Sequence, residues 1–454
     1  MSFKDLLHNL PEVRPPTEKK VSFNVKLKWT LIILASFFIL SNISIWGGTL
    51  EGLKRFEYLS IIMGTNFGSI ISLGIGPIVM SSIILQLLVG SGVLNINTNT
   101  TEGKKFFQGI QKLGVLFFIV LEAIIYVLMG GIRAQAGLEA IVITQLIIGG
   151  LLILFMDEIC TKWGFGSGVS LFIAAGVGWR LFAGLFGFLG PENVIAPVGQ
   201  VPALIYNFFV INSVTGGLQA LAAILSTVIV FLIIVWAQSL KIEIPLSYDR
   251  LRGYGMKWPL AFFYASVIPV ILVGALIANI QLFGGLLQNW LGHPTFLGEF
   301  VNGQAISGFS FWLGSSNILN AIISGSLTLT QLIQAIVHIV VFMIFAALFS
   351  VFWVKTSGMD AQSQARKILN SGLQISGFRK DERILETILS RYVMPLTVMG
   401  GLAIGLLAAI SDVLGTITGG TALLLGIMIM FQFYQNIAQQ HAVDMHPAMK
   451  NFMS

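Results

Sequence analysis

The stretch SLGIGPIVMSSIILQLLVGSG, residues 72–92, decides the fold class of this chain. It is apolar over about the 20 residues that a helix needs to cross a bilayer, yet Gly74, Gly76 and Pro77 stand near its start. Membrane helices tolerate such residues where neighbouring protein or a cavity satisfies the backbone groups that they free. We therefore interpret this stretch as one wall of a path through a membrane.

The composition places the whole chain in a membrane. Hydrophobic residues make up 55% and charged residues 10% of its 454 residues, and the mean hydropathy is +0.86. A water-soluble globule of this size would have too little polar surface to cover itself. The single cysteine, Cys160, excludes an internal disulfide framework, and the five histidines lack the spacing of metal ligands. We predict no cofactor and no metal.

Charge-poor runs of about 20 residues predict ten membrane helices. Their predicted centres lie near residues 38, 82, 120, 149, 176, 229, 270, 342, 402 and 429. If the N-terminus is cytosolic, all but four of the 26 Lys and Arg residues fall on the cytosolic side. The four on the other side are Lys54, Arg55, Arg133 and Arg180. The positive-inside rule then predicts that both termini are cytosolic.

Ten helices divide into two halves of five, residues 1–188 and 189–454. Because five is odd, the halves are predicted to lie inverted in the membrane. The second helix of each half carries a proline near its centre or in its first third, Pro77 and Pro269, and the fifth helix of each half opens on a glycine cluster. Interrupted helices at matching positions predict that helices two, five, seven and ten surround the path.

The segments between the helices differ sharply in charge. Two predicted external segments, about 189–216 and 282–329, contain no Lys or Arg, so we expect them to pack back onto the helices. Two predicted cytosolic segments, 241–258 and 355–391, concentrate Lys and Arg beside glycines. This pattern suits a mobile loop that contacts phosphates. The positive-inside rule and anionic lipid explain it as well, so both interpretations remain open.

The predicted walls of the path are aliphatic and carry almost no charge. Such walls bind no ion or sugar, but a narrow ring of them excludes water and ions by dewetting. They would also let an extended polypeptide slide past. A secondary transporter, which needs polar groups at mid-membrane, and a pore-less insertase remain the alternatives. The chain has no P-loop, so we predict that it does not hydrolyse nucleotide and is not an enzyme.

Few polar side chains occur within the predicted spans. Glu122 is an intramembrane carboxyl group, for which a functional role and a structural hydrogen bond between helices are equally open. Gln86 lies in the second helix, and Asn279 and Gln281 are expected near the outer end of the seventh. We interpret His338 as structural.

The order of motifs along the chain resembles the SecY family, the channel subunit of the general secretory translocon, in its archaeal form. These motifs are GIGPIV with IILQLL, DEI followed by GFGSGVSLFIAAG, IEIPL before DRLRG, IPVIL, FW followed by GMD, GFRKDE, MPLTVM and GGTALLL. The resemblance covers essentially the whole chain. It implies an all-α clamshell of ten helices in two inverted halves, which opens sideways to lipid between helices two and three and helices seven and eight.

The resemblance also implies roles for individual residues. The family's hydrophobic pore ring corresponds to Ile75, Val79, Val169, Ile173, Ile271 and Leu425. The polar cluster of its lateral gate corresponds to Glu122 and Asn279, with Met80 where related sequences often have a hydroxyl residue and with Gln86 bordering the same gate. The family's plug corresponds to about residues 55–67. The loops that the family presents to the ribosome hold Arg250, Arg252, Arg379 and Lys380.

The implied partners follow from the same family. They are SecE-like and Sec-beta- or SecG-like small membrane subunits, the ribosome, signal sequences, nascent polypeptides and membrane lipids. The implied location is the plasma membrane, with the chain crossing it several times. The implied function is a passive conduit that moves unfolded polypeptides across the membrane and releases hydrophobic segments sideways into lipid.

Overall fold

The structure of the protein is a computed structural model. It describes residues 10–17, 21–49, 67–94, 96, 100–188, 197–248, 255–265, 267–301, 304–370, 373–375 and 381–445. Long apolar helices dominate the described residues, and short strands lie in the connections between them.

Five long helices form the first half of the chain. They are α1 (Phe23–Ser41), α2 (Gly76–Gly90), α3 (Thr101–Leu128), α4 (Glu139–Trp163) and α5 (Gly168–Phe186). Two short strands, β1 (Gly48–Thr49) and β2 (Arg133–Ala134), pair antiparallel beyond the ends of α1 and α3. We call the side on which α1 begins the N-terminal face, and the other side the opposite face.

The second half has five further long helices and several short elements between them. The long helices are α7 (Val214–Ser239), α8 (Ile268–Leu291), α11 (Leu329–Thr356), α13 (Glu382–Val413) and α14 (Gly420–Met445). The short helices are α6 (Gln200–Phe209), α9 (Gly308–Leu313), α10 (Ile318–Ile323) and α12 (Ala361–Asn370). The strands are β3 (Lys241–Tyr248), β4 (Gly255–Ala261), β5 (Glu299–Val301), β6 (Gln304–Ser307) and β7 (Leu373–Ile375).

The predicted ten-helix membrane architecture is confirmed. Nine helices within the described residues are long and apolar enough to cross a membrane, and α2, with 15 residues, is the shorter tenth. Consecutive turns precede α2, at residues 67–75, and lie deep in the bundle. Gly149 of α4 makes room for them, because a Cβ there would lie 1.9 Å from the carbonyl oxygen of Ile70.

The two prolines begin their helices and do not interrupt them, which corrects the sequence prediction. Pro77 and Pro269 both lie in the first turn, of α2 and α8 respectively. Proline is favoured there because the first-turn N–H groups have no partner within the helix and its fixed φ already suits a helix.

The predicted centre of the seventh helix was also wrong. Because α8 begins only at Ile268, Asn279 lies at its middle, and neither Asn279 nor Gln281 lies at its outer end. The apolar residues before Ile268 belong to β4 and to a turn that contains the buried Phe263 and Tyr264. Hydropathy alone does not distinguish such a buried turn from a membrane span.

The two segments predicted as basic cytosolic loops contain regular structure. Strands β3 and β4 form an antiparallel hairpin, and β7 adds to the other edge of β3. The second segment also contains α12, which packs against α13. Tyr264 ties this layer to the helices by donating a hydrogen bond to the carbonyl oxygen of Met359 at 2.6 Å, and burial raises the pKa of its hydroxyl well above the ordinary value.

The two charge-free segments, where described, pack against the helices as expected. Helix α6 lies along α7, where Gly217 is pressed against the ring of Phe208. Strand β5 lies against α8, where Gly284 admits the ring of Phe300. These contacts cover the bundle on the opposite face.

Candidate functional site

A large cavity opens on the opposite face between the two halves of the bundle. Its volume is about 1650 Å³, and its walls come from the second halves of α1 and α5, the middle of α8, the end of α13, the starts of α11 and α14, and α9. We call it the vestibule. Gly176, Gly274 and Ala422 lie among its lining residues, each three positions along its helix from a predicted ring residue. The predicted ring therefore lies about one helical turn below the vestibule.

All six predicted ring residues belong to one large apolar cluster, which also contains side chains of α1, α4, α7, α11 and α13. Ile75, Val79, Ile173, Ile271 and Leu425 are at most 5% exposed, and Val169 packs against the same cluster while partly buried. They come from α5, α8, α14 and the start of α2. The structure thus brings together side chains that are up to 350 positions apart in the chain.

The backbone places these side chains by breaking helices next to them. Gly74 has a φ of +54°, in the left-handed region that favours glycine, and Ile75 is the residue just before α2. Helices α5 and α14 likewise start one to five positions before their ring residues. The ring is therefore built from helix starts, where the chain changes direction inside the bundle.

The chemistry of these predicted ring residues would suit a dry seal. Its side chains are aliphatic, so they offer no donor, acceptor or charge to a hydrated ion. Water leaves a narrow apolar constriction because it cannot replace its lost hydrogen bonds there. An ion would then enter only by losing its hydration shell, which costs a large free energy.

A closed seam runs beside the ring, where α2 packs against α8 and α11. Contact is close near the N-terminal face, where a Cβ on Gly90 of α2 would lie 2.4 Å from the ring of Phe352 on α11. At the other end, the side-chain amide of Asn289 on α8 donates to the carbonyl oxygen of Met129, just after α3, at 3.0 Å. We call this contact between α2–α3 and α8–α11 the gate seam.

The predicted gate residues differ from the ring in polarity. Glu122 and Asn279 are each 1% exposed, Gln86 is buried, and Met80 is partly buried. Among the described residues, both carboxyl oxygens of Glu122 and the amide oxygens of Gln86 and Asn279 have no hydrogen-bond partner. The Asn279 amide nitrogen donates within α8, to the carbonyl oxygen of Ala275 at 2.9 Å.

Sequence reasoning missed several polar residues beside the gate seam. Ser81 donates to the carbonyl oxygen of Gln111 at 2.8 Å, and the Gln111 amide donates to Ser82 at 2.6 Å, so α2 and α3 are joined into one unit. Asn289 and the buried Tyr126, one turn from Glu122, were missed as well. The Ser-Ser pair inside an apolar helix was the one available signal.

The N-terminal segment is tied to the ends of α3 and α4. Glu158 of α4 pairs with Lys112 of α3 and accepts a hydrogen bond from the backbone N–H of Val13 at 3.0 Å. Glu12 pairs with Lys162, and this hydrogen bond holds the pKa of Glu12 below its ordinary value. These contacts lie on the N-terminal face, away from the vestibule.

Some predicted sites lie outside the described residues. These are Arg250, Arg252, Arg379 and Lys380, and residues 55–66 of the predicted plug. Phe67, the last plug residue, is described and is buried beside Leu73 and Val115. In the described part of the chain, no three His, Cys, Asp or Glu side chains come close enough to hold a metal ion.

Comparison with known proteins bears on the choice between a protein channel and a solute transporter. The sequence model of the SecY family matches residues 69–434. The chain belongs to the SecY family. A protein translocase subunit SecY of Methanothermobacter thermautotrophicus is 41% identical to it, over 99% of this chain and 98% of the relative. The corresponding protein of Methanocaldococcus jannaschii is 38% identical, over 99% of this chain and 98% of the relative.

Solved structures agree with this SecY assignment. A structure described as that of a protein conducting channel superimposes with a TM-score of 0.84 at 36% identity, covering 99% of both chains. Sec61 of the canine ribosome-channel complex from the endoplasmic reticulum gives a TM-score of 0.80, also at 36% identity and 99% coverage of both chains. The expected SecY clamshell and the channel role are confirmed, and a solute transporter is not favoured.

Proposed function

We propose that this SecY protein conducts unfolded polypeptides through a seal made by Ile75, Val79, Val169, Ile173, Ile271 and Leu425. One observation carries the proposal: these side chains all belong to one apolar cluster and lie about one helical turn below a vestibule of about 1650 Å³. A ring without polar atoms blocks hydrated ions at rest. It also gives a passing chain no hydrogen bonds that would hold it, so transport needs no chemistry from the chain itself.

The gate seam is the proposed sideways exit. Hydrophobic segments would leave the path between α2–α3 and α8–α11, past Glu122, Asn279, Met80 and Gln86. A signal sequence would compete for the apolar surface that these helices bury against each other. Membrane lipid would then meet the polypeptide directly, which is how a segment could partition by its hydrophobicity.

The proposed surroundings follow from charge and family. Both termini would face the cytosol, the chain would lie in the plasma membrane, and the basic segments around Arg250, Arg252, Arg379 and Lys380 would contact ribosomal RNA. The canine relative was solved in a ribosome-channel complex, which supports this partner. SecE-like and Sec-beta- or SecG-like subunits would brace the clamshell.

The path can be tested by crosslinking a stalled secretory chain to single cysteines in the Cys160→Ser protein. Ile75→Cys, Val79→Cys, Ile173→Cys and Ile271→Cys should each crosslink to the stalled segment. Ile229→Cys is the control, because Ile229 is 51% exposed on the outer surface of α7. Crosslinking at the four ring positions no stronger than at 229 would exclude this path.

A further inference from the structure

The end of α13 and the start of α14 are joined through one carboxylate. Oδ1 of Asp412 accepts a hydrogen bond from the backbone N–H of Thr421 at 2.8 Å, and Oδ2 accepts one from the Thr421 hydroxyl. A carboxylate at a helix start satisfies N–H groups that have no partner in the helix and interacts favourably with the helix dipole. Asp412 therefore fixes where α14 begins.

Close backbone contact makes this junction stiff. A Cβ on Gly420 would lie 1.9 Å from the carbonyl carbon of Ser411 and 2.1 Å from the nitrogen of Asp412, so no larger residue fits there. Gly419 has a φ of +82°, which favours glycine. Leu425 lies four positions after Thr421, on the same face of α14 one turn deeper. The position of Asp412 thus sets the depth of a proposed ring residue.

A gate helix also reaches Asp412. Nδ1 of His338, on α11, lies 2.7 Å from the carbonyl oxygen of Leu313, and because a carbonyl can only accept, Nδ1–H is the donor. The other ring nitrogen, Nε2, lies 3.5 Å from Oδ2 of Asp412, and the two groups form an ion pair when the imidazole is protonated. Both side chains are nearly buried, 4% and 14% exposed, and both line the vestibule wall. Asp412 is therefore held between α11 and α14.

The other half of the chain contains the same junction without the histidine. Oδ1 of Asp157, on α4, accepts from the backbone N–H of Val169 at 2.9 Å and from Ser167 at 3.2 Å. A Cβ on Gly168 would lie 2.6 Å from the Cα of Asp157. Ile173 follows Val169 by one turn, as Leu425 follows Thr421. The described hydrogen-bond donors to Asp157 all lie at the start of α5.

We propose that Asp412 is a positioning residue that couples the gate to the ring. When α11 moves as the gate seam opens, His338 carries Asp412 with it, and the Thr421 contacts carry the start of α14 and Leu425. Asp157 does the corresponding positioning for Val169 and Ile173 but is not linked to a gate helix. The effect on Leu425 rests on the proposed ring, whereas the link between α11 and α14 does not.

Two spin-label distances test the link in the full chain reconstituted with its small subunits, in the Cys160→Ser background. Labels at Leu128 on α3 and Ile336 on α11 report the gate, and labels at Ile336 and Met430 on α14 report the link; all three positions are exposed. A synthetic signal peptide with an apolar core opens the gate. In the labelled parent protein, which carries no further substitution, the 336–430 distance should stay constant while the 128–336 distance grows.

Two substitutions at His338 form the matched pair. His338→Leu removes the imidazole that faces Asp412, so the 336–430 distance should lengthen by roughly 2 Å on opening, the scale of helix shifts at interfaces. His338→Gln keeps an N–H at the position of Nε2 and should restore the constant distance. Asp412→Asn should behave like His338→Leu, and Asp157→Asn should leave both distances as in the parent.

The outcomes separate the two proposals. Equal 336–430 distances in the parent and in His338→Leu would overturn the coupling. A 336–430 distance that lengthens as much in His338→Gln as in His338→Leu would overturn it as well. Ion conductance, measured on the same samples, addresses the ring. A lengthened 336–430 distance in His338→Leu with unchanged conductance would leave the coupling standing and count against Leu425 as part of the seal.

Discussion

The proposed ring and the gate seam lie side by side, but their buried side chains differ in polarity. The ring buries aliphatic side chains alone, whereas the seam buries Glu122, Asn279 and Gln86, with polar atoms that have no partner among the described residues. Each such atom costs about 1–3 kcal/mol in the closed state. If the ring and the gate seam act as proposed, the contact that must stay sealed is apolar, and the contact that must open carries a free-energy penalty in its closed state.

The largest expected effect comes from making the proposed ring polar. Ile75→Ser, Val79→Ser and Ile271→Ser together should raise ion conductance across planar bilayers by about a hundredfold or more, since burying each aliphatic side chain is worth about 1.5–3 kcal/mol and 1.4 kcal/mol is a factor of ten. Ile234→Ser is the control, because Ile234 is buried in the same cluster, on α7. Bilayers that stay tight with the triple variant would remove these residues from the seal.

The second effect concerns the polar side. Glu122→Leu removes an unpartnered buried carboxyl group, so the closed seam should gain about 1–3 kcal/mol and the open fraction should fall about tenfold. The distance between labels at Leu128 and Ile336 measures this fraction. Glu122→Gln keeps a polar group of the same size and should open more readily than the Leu variant. A Leu variant that opens as easily as the parent would show that the carboxyl group does not oppose closure.

The smallest expected effect comes from removing one hydrogen bond at one end of the gate seam. Asn289→Ala removes the hydrogen bond to Met129, which should shift the seam toward opening by about 0.5–1.5 kcal/mol, a few-fold in the same measurement. Asn42→Ala is the matched control, because the Asn42 amide also donates to a backbone carbonyl, that of Phe38 at 2.8 Å, but within α1. Equal shifts in both variants would mean that Asn289 is not part of the gate.

The sequence predicted the membrane architecture correctly in most places but not at α8. The apolar spans predicted the membrane architecture because a bilayer demands about 20 consecutive apolar residues, whatever the packing. The same criterion misplaced α8, since a buried turn around Phe263 and Tyr264 is as apolar as a span. The predicted division at residues 188 and 189 and the cytosolic position of both termini stay predictions.

The candidate site was predictable only in part. The ring residues come from motifs that resemble the family, and the structure brings them together. The residues missed, Asn289, Ser81, Gln111 and Asp412, act through partners between 9 and 160 positions away. His338 was interpreted as structural because an isolated histidine carries no pattern, and its neighbour Asp412 is 74 positions further along the chain.

The order of residues alone establishes that the chain crosses a membrane many times and that it resembles the SecY family, and it predicts an aliphatic path. These properties depend on composition and on the order of residues along the chain, and the unfolded chain already has both. Only the tertiary structure shows that the proposed ring residues are packed among apolar side chains while polar side chains are buried in the seam beside them, and that Asp412 lies between α11 and α14. Burial and hydrogen bonding between distant residues exist only once the helices pack.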